Sequence, residues 1–142
     1  MPLVTTDEGL RNILMTYRRI VVVGISANPD RPSQRVARFL QQHGYQLSLV
    51  NPLLAGKTVL GLQVYPTLAD LPEPPEMVDV FRRSEYVAEV AEAAIAVGAN
   101  VLWTQLGVRD DVAAQRASDA GLLVVQDRCP AIEYPRLGIG QR

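Results

Sequence analysis

Short apolar runs alternating with amphipathic stretches constrain this chain more than any other feature. Ile20-Val21-Val22-Val23-Gly24-Ile25 is a continuous, largely β-branched run, the mark of a strand buried on both faces. Similar runs follow at Gln46–Val50, Met77–Phe81, Val101–Gln105 and Leu122–Gln126. The intervals between them carry helical spacing. Leu10, Ile13, Leu14 and Tyr17 follow the capping-box sequence Thr5-Thr6-Asp7-Glu8, which predicts an N-terminal helix. Pro32-Ser33 opens a second helix carrying Val36, Ala37 and Leu40, and Gly44 stops it. Ser84 precedes a third over Glu85–Val97, and Asp110–Ala120 reads as a fourth, closed by Gly121. Gly56–Pro66 is the least regular stretch, and Thr67–Leu71 has room for one short helix.

Buried strands separated by helices call for right-handed crossovers and a parallel sheet covered on both sides. The expected fold is α/β: a doubly wound, five-stranded parallel sheet of order 3-2-1-4-5 with helices on both faces. The chain has 142 residues, enough for one domain with a sizeable core. That domain spans 1–142, with an N-terminal helix in 1–18 and an irregular tail at 127–142.

Charge and residue counts exclude several functions. Fourteen basic side chains against 15 acidic ones give a net charge of −1, far from the basic surface that nucleic-acid binding needs. A single cysteine, Cys129, excludes an internal disulfide framework and any multi-Cys metal site. A single histidine, His43, excludes two-His metal motifs. No apolar run is long enough to span a bilayer, and the N-terminus has neither the basic nor the apolar part of a secretory signal. The chain is therefore expected to be cytoplasmic, without membrane or nucleic-acid partners. A protein partner or a homo-oligomer stays open.

In a doubly wound sheet, ligands bind beyond the carboxyl ends of the strands, where strand order reverses. The first such end, Gly24-Ile25-Ser26-Ala27-Asn28-Pro29-Asp30-Arg31-Pro32-Ser33, carries the most chemistry. Gly24 allows close backbone approach, and the following helix offers free N–H groups and a positive dipole end to a phosphate. Ser26, Asn28 and Ser33 add neutral donors, and Arg31 and Arg35 add charge. Ser26 and Pro29 stand where a dinucleotide fingerprint would have its second and third glycines. Asn51-Pro52 follows the second strand, where a nicotinamide site usually has Asp or Glu for the ribose hydroxyl. NAD is disfavoured.

Lys57, the only lysine, follows Gly56 and reads either as a solvated surface residue or as a phosphate partner. His43 falls at the far end of the first crossover helix, on the amino edge of the sheet, which suits a capping or solvated role. Asp110-Asp111 opens a helix, Asp79 lies mid-strand, and Trp103 reads as core. Cys129 falls at the carboxyl edge, as a small buried hydrophobe or as a functional thiol. No nucleophile, base and orienting group assemble, so binding is favoured over catalysis.

Five segments carry a family resemblance: Val22–Ser33, Val50-Asn51-Pro52, Val78-Asp79-Val80-Phe81-Arg82, Trp103-Thr104-Gln105-Leu106-Gly107-Val108 and Asp127-Arg128-Cys129-Pro130. Together, from about Thr6 to Gly138, they resemble the small stand-alone CoA-binding proteins and the N-terminal CoA-binding domain of the succinyl-CoA synthetase α subunit. The resemblance implies a Rossmann-like fold with coenzyme A across the carboxyl edge of the sheet. By position, Gly24, Ile25, Ser26, Ala27, Asn28, Arg31 and Ser33 would hold the phosphates, with Arg35 a further candidate. Asn51 and Pro52 would border the adenosine, and Lys57 matches a phosphate-contacting Gly-Lys step. Phe81, Arg82, Gln105, Leu106 and Gly107 would line the pantetheine path. Cys129 lies in a segment resembling the synthetase's Asn-Cys-Pro-Gly, with the Asn and final Gly altered. The synthetase's phosphorylated histidine belongs to a second domain with no counterpart in this sequence, so the resemblance imports binding and not the ligase reaction.

The expected function is non-catalytic or regulatory binding of coenzyme A or an acyl-CoA, without a metal. A CoA-dependent transferase or thiol-exchange role for Cys129 is the enzymatic alternative. An NAD-linked redox sensor is the third.

Overall fold

The computed structural model describes residues 3–140, so the extreme ends of the expected 1–18 and 127–142 segments lie outside it. The chain runs α1 (Asp7–Thr16), β1 (Arg19–Val23), α2 (Pro32–Gln42), β2 (Gln46–Val50), β3 (Thr58–Val59), β4 (Leu62–Tyr65), β5 (Met77–Val80), α3 (Val87–Ala96), β6 (Val101–Thr104), α4 (Asp111–Asp119), β7 (Leu123–Val125) and α5 (Pro130–Arg136). The 3-10 turns at Pro52–Leu54, Leu68–Asp70 and Ser84–Tyr86 link these elements, the second of them within the expected 67–71 helix.

The α/β class stands, but the sheet is larger than expected and one neighbour differs. It has seven strands in the order β3-β4-β2-β1-β5-β6-β7. The expected order put Met77–Phe81 beside the second strand. Instead Met77–Val80 pairs with β1 on its other side, with Val22 opposite Asp79. The place beside β2 goes to Leu62–Tyr65, parallel to it through Leu49–Val64 and Val50–Tyr65. Numbering only the parallel strands in chain order restores the pattern 3-2-1-4-5, with one more strand at the end. The strand inside 56–66 hides because it is the second arm of a small antiparallel hairpin. Leu60 and Gly61, both at positive φ (54° and 76°), turn it between Val59 and Leu62.

The sheet divides the core. Ile20 and Val22 face a layer built with Leu10, Ile13 and Leu14 of α1, Val36, Ala37 and Leu40 of α2, and Leu137 after α5. Val21 and Val23 face the layer of α3 and α4. Thr6 caps α1 by accepting the Gly9 N–H at 3.1 Å. Glu8 therefore falls one position early for the reciprocal half of the expected capping box. The irregular tail is also corrected, since Pro130–Arg136 is helical. Pro130 occupies the first turn, where its missing N–H costs nothing, and Pro135 comes in the last turn. Arg136 anchors this helix through Asp7 at 2.8 Å and Glu133 at 2.6 Å.

Candidate functional site

Strand order reverses between β1 and β5, and the chain opens a crevice there. The Gly24 N–H donates to the Val50 carbonyl and the Phe81 N–H to the Val23 carbonyl, both at 2.8 Å, so the three strand ends are pinned together. Gly24 has φ +94°, and a Cβ there would collide with the Phe81 carbonyl. Glycine is required by conformation and by space.

The loop beyond Gly24 is held by its own side chains. Ser33 Oγ accepts the Ser26 N–H at 3.0 Å, Ser26 Oγ accepts the Asn28 N–H at 3.0 Å, and Asn28 Oδ1 accepts the Asp30 N–H at 2.9 Å. The residues expected as ligand donors thus also build the loop, and both hydroxyl protons stay available for a ligand. Among the described residues, the N–H groups of Ile25, Ala27 and Ser33 find no acceptor, and all three residues line the crevice. Arg31 and Pro32 start α2, whose N-terminal end opens onto the same space. Unpaired N–H groups along a loop that leads into a helix start suit an anionic oxygen.

Two adjoining cavities form one groove. The first, about 610 Å³, gathers Gly24, Ile25, Ser26, Ala27, Asn28, Arg31, Ser33, Asn51 and Phe81 from the expected set. The second, about 580 Å³, gathers Arg35, Phe81, Arg82, Gln105 and Cys129. Pro32 and Phe81 border both, so the groove runs from Asn51 to Cys129 across the sheet edge. Arg31, Arg35 and Arg82 have no carboxylate within 4.0 Å among the described residues, and Arg82 lies over the Tyr86 ring at 4.4 Å. Three cations without anionic partners give the groove its charge.

Other expected residues fall elsewhere. Pro52 borders a small hollow with Val23, Val50 and Arg82. Lys57 is exposed on the approach to β3 and lines neither cavity. Gly107 is a turn residue at φ +80° whose N–H donates to Asp127 Oδ1 at 2.6 Å, while Leu106 and Val108 beside it line the second cavity. Asn51 ends β2 without a carboxylate: its amide donates to the Ile25 carbonyl at 2.8 Å, and its Oδ1 accepts the Leu53 N–H at 2.9 Å. Leu53, 88% exposed, and Ile132, 51% exposed, line the groove without having been singled out. A bare apolar side chain just past the polar end of β2 is the signal for Leu53, whereas Ile132 sits on α5.

Cys129 is buried and begins α5. Trp103 Nε1–H and Gln105 Nε2–H both donate to the Arg128 carbonyl, at 2.8 and 3.1 Å, and fix the segment that carries it. Burial pushes its thiol up, against a smaller opposing pull from the N–H groups of Ile132 and Ala131. Asp79 is fully buried in β5, and desolvation holds its carboxyl well above the ordinary range. His43 ends α2, stacked on Phe39 with a ring separation of 3.9 Å and its Nδ1 2.7 Å from the Phe39 carbonyl. Asp110 caps α4 by accepting the Ala113 N–H at 3.0 Å. No helix among the described residues is long and apolar enough to cross a membrane.

Known proteins share both the sequence pattern and this framework. The model of a CoA binding domain family matches residues 18–135. The uncharacterized protein YneT of Bacillus subtilis is 37% identical over 125 residues, 88% of this chain and 91% of YneT. A solved structure of a hypothetical protein from Pyrococcus horikoshii is 39% identical with a TM-score of 0.89, covering 94% of this chain and 92% of that one. A dinucleotide-forming acetyl-coenzyme A synthetase from Ca. Korarchaeum cryptofilum, 21% identical, shares the fold at a TM-score of 0.67 over 80% of this chain and 26% of its own. With the family model covering most of the sheet and every strand end that forms the groove, the chain belongs to the CoA binding domain family.

Proposed function

We propose that the groove binds coenzyme A or an acyl-CoA, as a binding or regulatory module without a ligase reaction. The carrying observation is the Gly24–Ser33 loop, where residues with unpaired N–H groups and the start of α2 line one cavity beside Arg31. Those groups suit the diphosphate. Leu53, Leu54 and Asn51 offer a partly apolar bay for the adenosine. Val36, Phe81, Leu106 and Ile132 offer an apolar path for the pantetheine arm, and Arg35 and Arg82 offer charge for a further phosphate. Lys57 comes from the hairpin beyond Leu54, and it joins the site only by reaching over with its flexible side chain.

A thermal melt tests this reading, because a ligand that binds only the folded chain raises the midpoint by an amount that grows with the logarithm of its concentration over Kd. Coenzyme A is expected to raise the midpoint, and NADH to leave it unmoved. An unmoved midpoint with coenzyme A, or a larger shift with NADH, overturns the proposal.

A second reading is thiol exchange at Cys129, favoured by its place in the wall of the second cavity. A disulfide of coenzyme A lying along the groove would bring its sulfur to this end. Intact-mass measurement after incubation with oxidised coenzyme A reads the adduct directly, and an unmodified Cys129 rejects it.

A further inference from the structure

Among the described residues, two that are not glycine have positive φ: Leu60, in the hairpin turn, and Asp127, at 58° just past β7. Such a backbone persists only where its surroundings hold it, and Asp is one of the few side chains that tolerates it. Asp127 is held through both its backbone and its side chain. Its N–H donates to Thr104 Oγ1 at 3.2 Å, and its Oδ1 accepts the Gly107 N–H at 2.6 Å. Arg109 and Arg128 border the same small hollow as Asp127, yet they pair with Asp111 at 3.1 Å and Glu133 at 3.4 Å instead. An exposed carboxylate beside two arginines is thus spent on one turn amide.

That turn walls the second cavity of the groove. It runs Gln105-Leu106-Gly107-Val108 at the end of β6, and Gln105, Leu106 and Val108 border the cavity. Thr104 Oγ1–H donates to the Val108 carbonyl at 2.7 Å, and the Arg128 N–H donates to the Thr104 carbonyl at 3.1 Å. Gln105 is 5% exposed, and its Nε2–H goes to the Arg128 carbonyl at 3.1 Å. A flipped amide would set Oε1 against that carbonyl, so the side chain is locked with Oε1 outward. Among the described residues, the side-chain atoms both sealed and unpartnered are the two Asp79 oxygens, which leaves Gln105 Oε1 open to the cavity as a free acceptor. Leu106, 58% exposed, has little packing to hold it. Asp127 lines neither cavity of the groove, and its influence passes through the turn.

We infer that Asp127 is a positioning residue for the arm of the ligand: its bond to Gly107 latches the Gln105–Val108 turn to the segment after β7, so that Gln105 Oε1 and Leu106 are in place before the arm arrives. A turn ordered beforehand spares the ligand the cost of ordering it. A locked acceptor in an otherwise apolar wall favours an arm that carries N–H donors, as the amide-bearing arm of coenzyme A does. The inference rests on coenzyme A or an acyl-CoA being the ligand. It adds a residue outside the groove that sets the affinity for one half of that ligand and not for the other.

The test titrates the native chain, Asp127→Gly and Asp127→Asn with coenzyme A and with ADP, which has the adenosine and the diphosphate without the arm. Both replacements suit the positive φ, so the fold is expected to survive them. Glycine removes the latch, whereas asparagine keeps an oxygen for the Gly107 N–H. Asp127→Gly is expected to lose about fivefold or more in coenzyme A affinity and Asp127→Asn less than about twofold, with ADP affinity unchanged in both. Undiminished coenzyme A affinity in Asp127→Gly overturns the inference, and so does an equal loss for ADP, which a merely structural role would give. A loss in Asp127→Asn as large as in Asp127→Gly assigns the effect to charge and also overturns it. No binding of coenzyme A by the native chain removes the proposed function itself, and the inference with it.

Discussion

The Asn51 side chain ties two strand ends together, donating to the Ile25 carbonyl at 2.8 Å while its Oδ1 accepts the Leu53 N–H at 2.9 Å. Both ends of one amide are used, and both partners line the groove. Asn51→Asp puts a carboxylate oxygen against the Ile25 carbonyl and adds negative charge beside the expected phosphates. It should lower stability by about 1–3 kcal/mol in urea titrations and weaken coenzyme A binding. Unchanged stability would separate the two loops energetically.

Gly24→Ala tests the conformational demand at the sheet's reversal point. With φ at +94° and the Phe81 carbonyl in the way of a Cβ, the variant should lose more than about 1 kcal/mol. Gly121→Ala, also at positive φ but with open space around its Cβ position, should lose less. Equal losses would mean that φ alone matters at Gly24.

Asp79 makes stability pH-dependent in one direction. Its folded carboxyl titrates well above an unfolded one, through burial. Its contribution is fully present below the unfolded carboxylate value and is lost as pH rises through the folded value. The stability of Asp79→Asn relative to the native chain should therefore increase with pH, read as a widening gap between midpoints. A constant gap would contradict the assignment.

Glu76 works in the opposite sense. It accepts the Arg18 N–H at 2.8 Å and the Arg19 N–H at 3.0 Å, and the Arg19 hydrogen bond leads the effects that hold its carboxyl below the ordinary range. Its contribution is present above the unfolded carboxylate value and is lost as pH falls through the folded one. Glu76→Gln should destabilise at neutral pH and become nearly silent in acid.

The legible parts of the fold are those written in burial. β1 reads directly from Ile20–Val23 because both faces are covered, and α2 from Val36, Ala37 and Leu40. β4 was illegible because it pairs with β2 over only two positions and is flanked by Gly61 and Pro66. α5 was hidden by Pro130 and Pro135, which read as breakers unless their places in the first and last turns are known. At the groove, the Gly24–Ser33 loop, Asn51 and Arg82 were legible because chain order alone puts strand ends on one edge. Pro52, Lys57 and Gly107 lie on neighbouring turns whose direction depends on the hairpin and on the Gly107–Asp127 bond. Ile132 needed the helix that the prolines concealed.

Isothermal titration with coenzyme A tests the central claim most directly. The account predicts saturable binding at one site per chain, weakened by added salt and by Arg31→Ala, because unpaired cations and N–H groups meet the phosphates. Absence of heat at millimolar coenzyme A, or binding indifferent to both salt and Arg31→Ala, would contradict it.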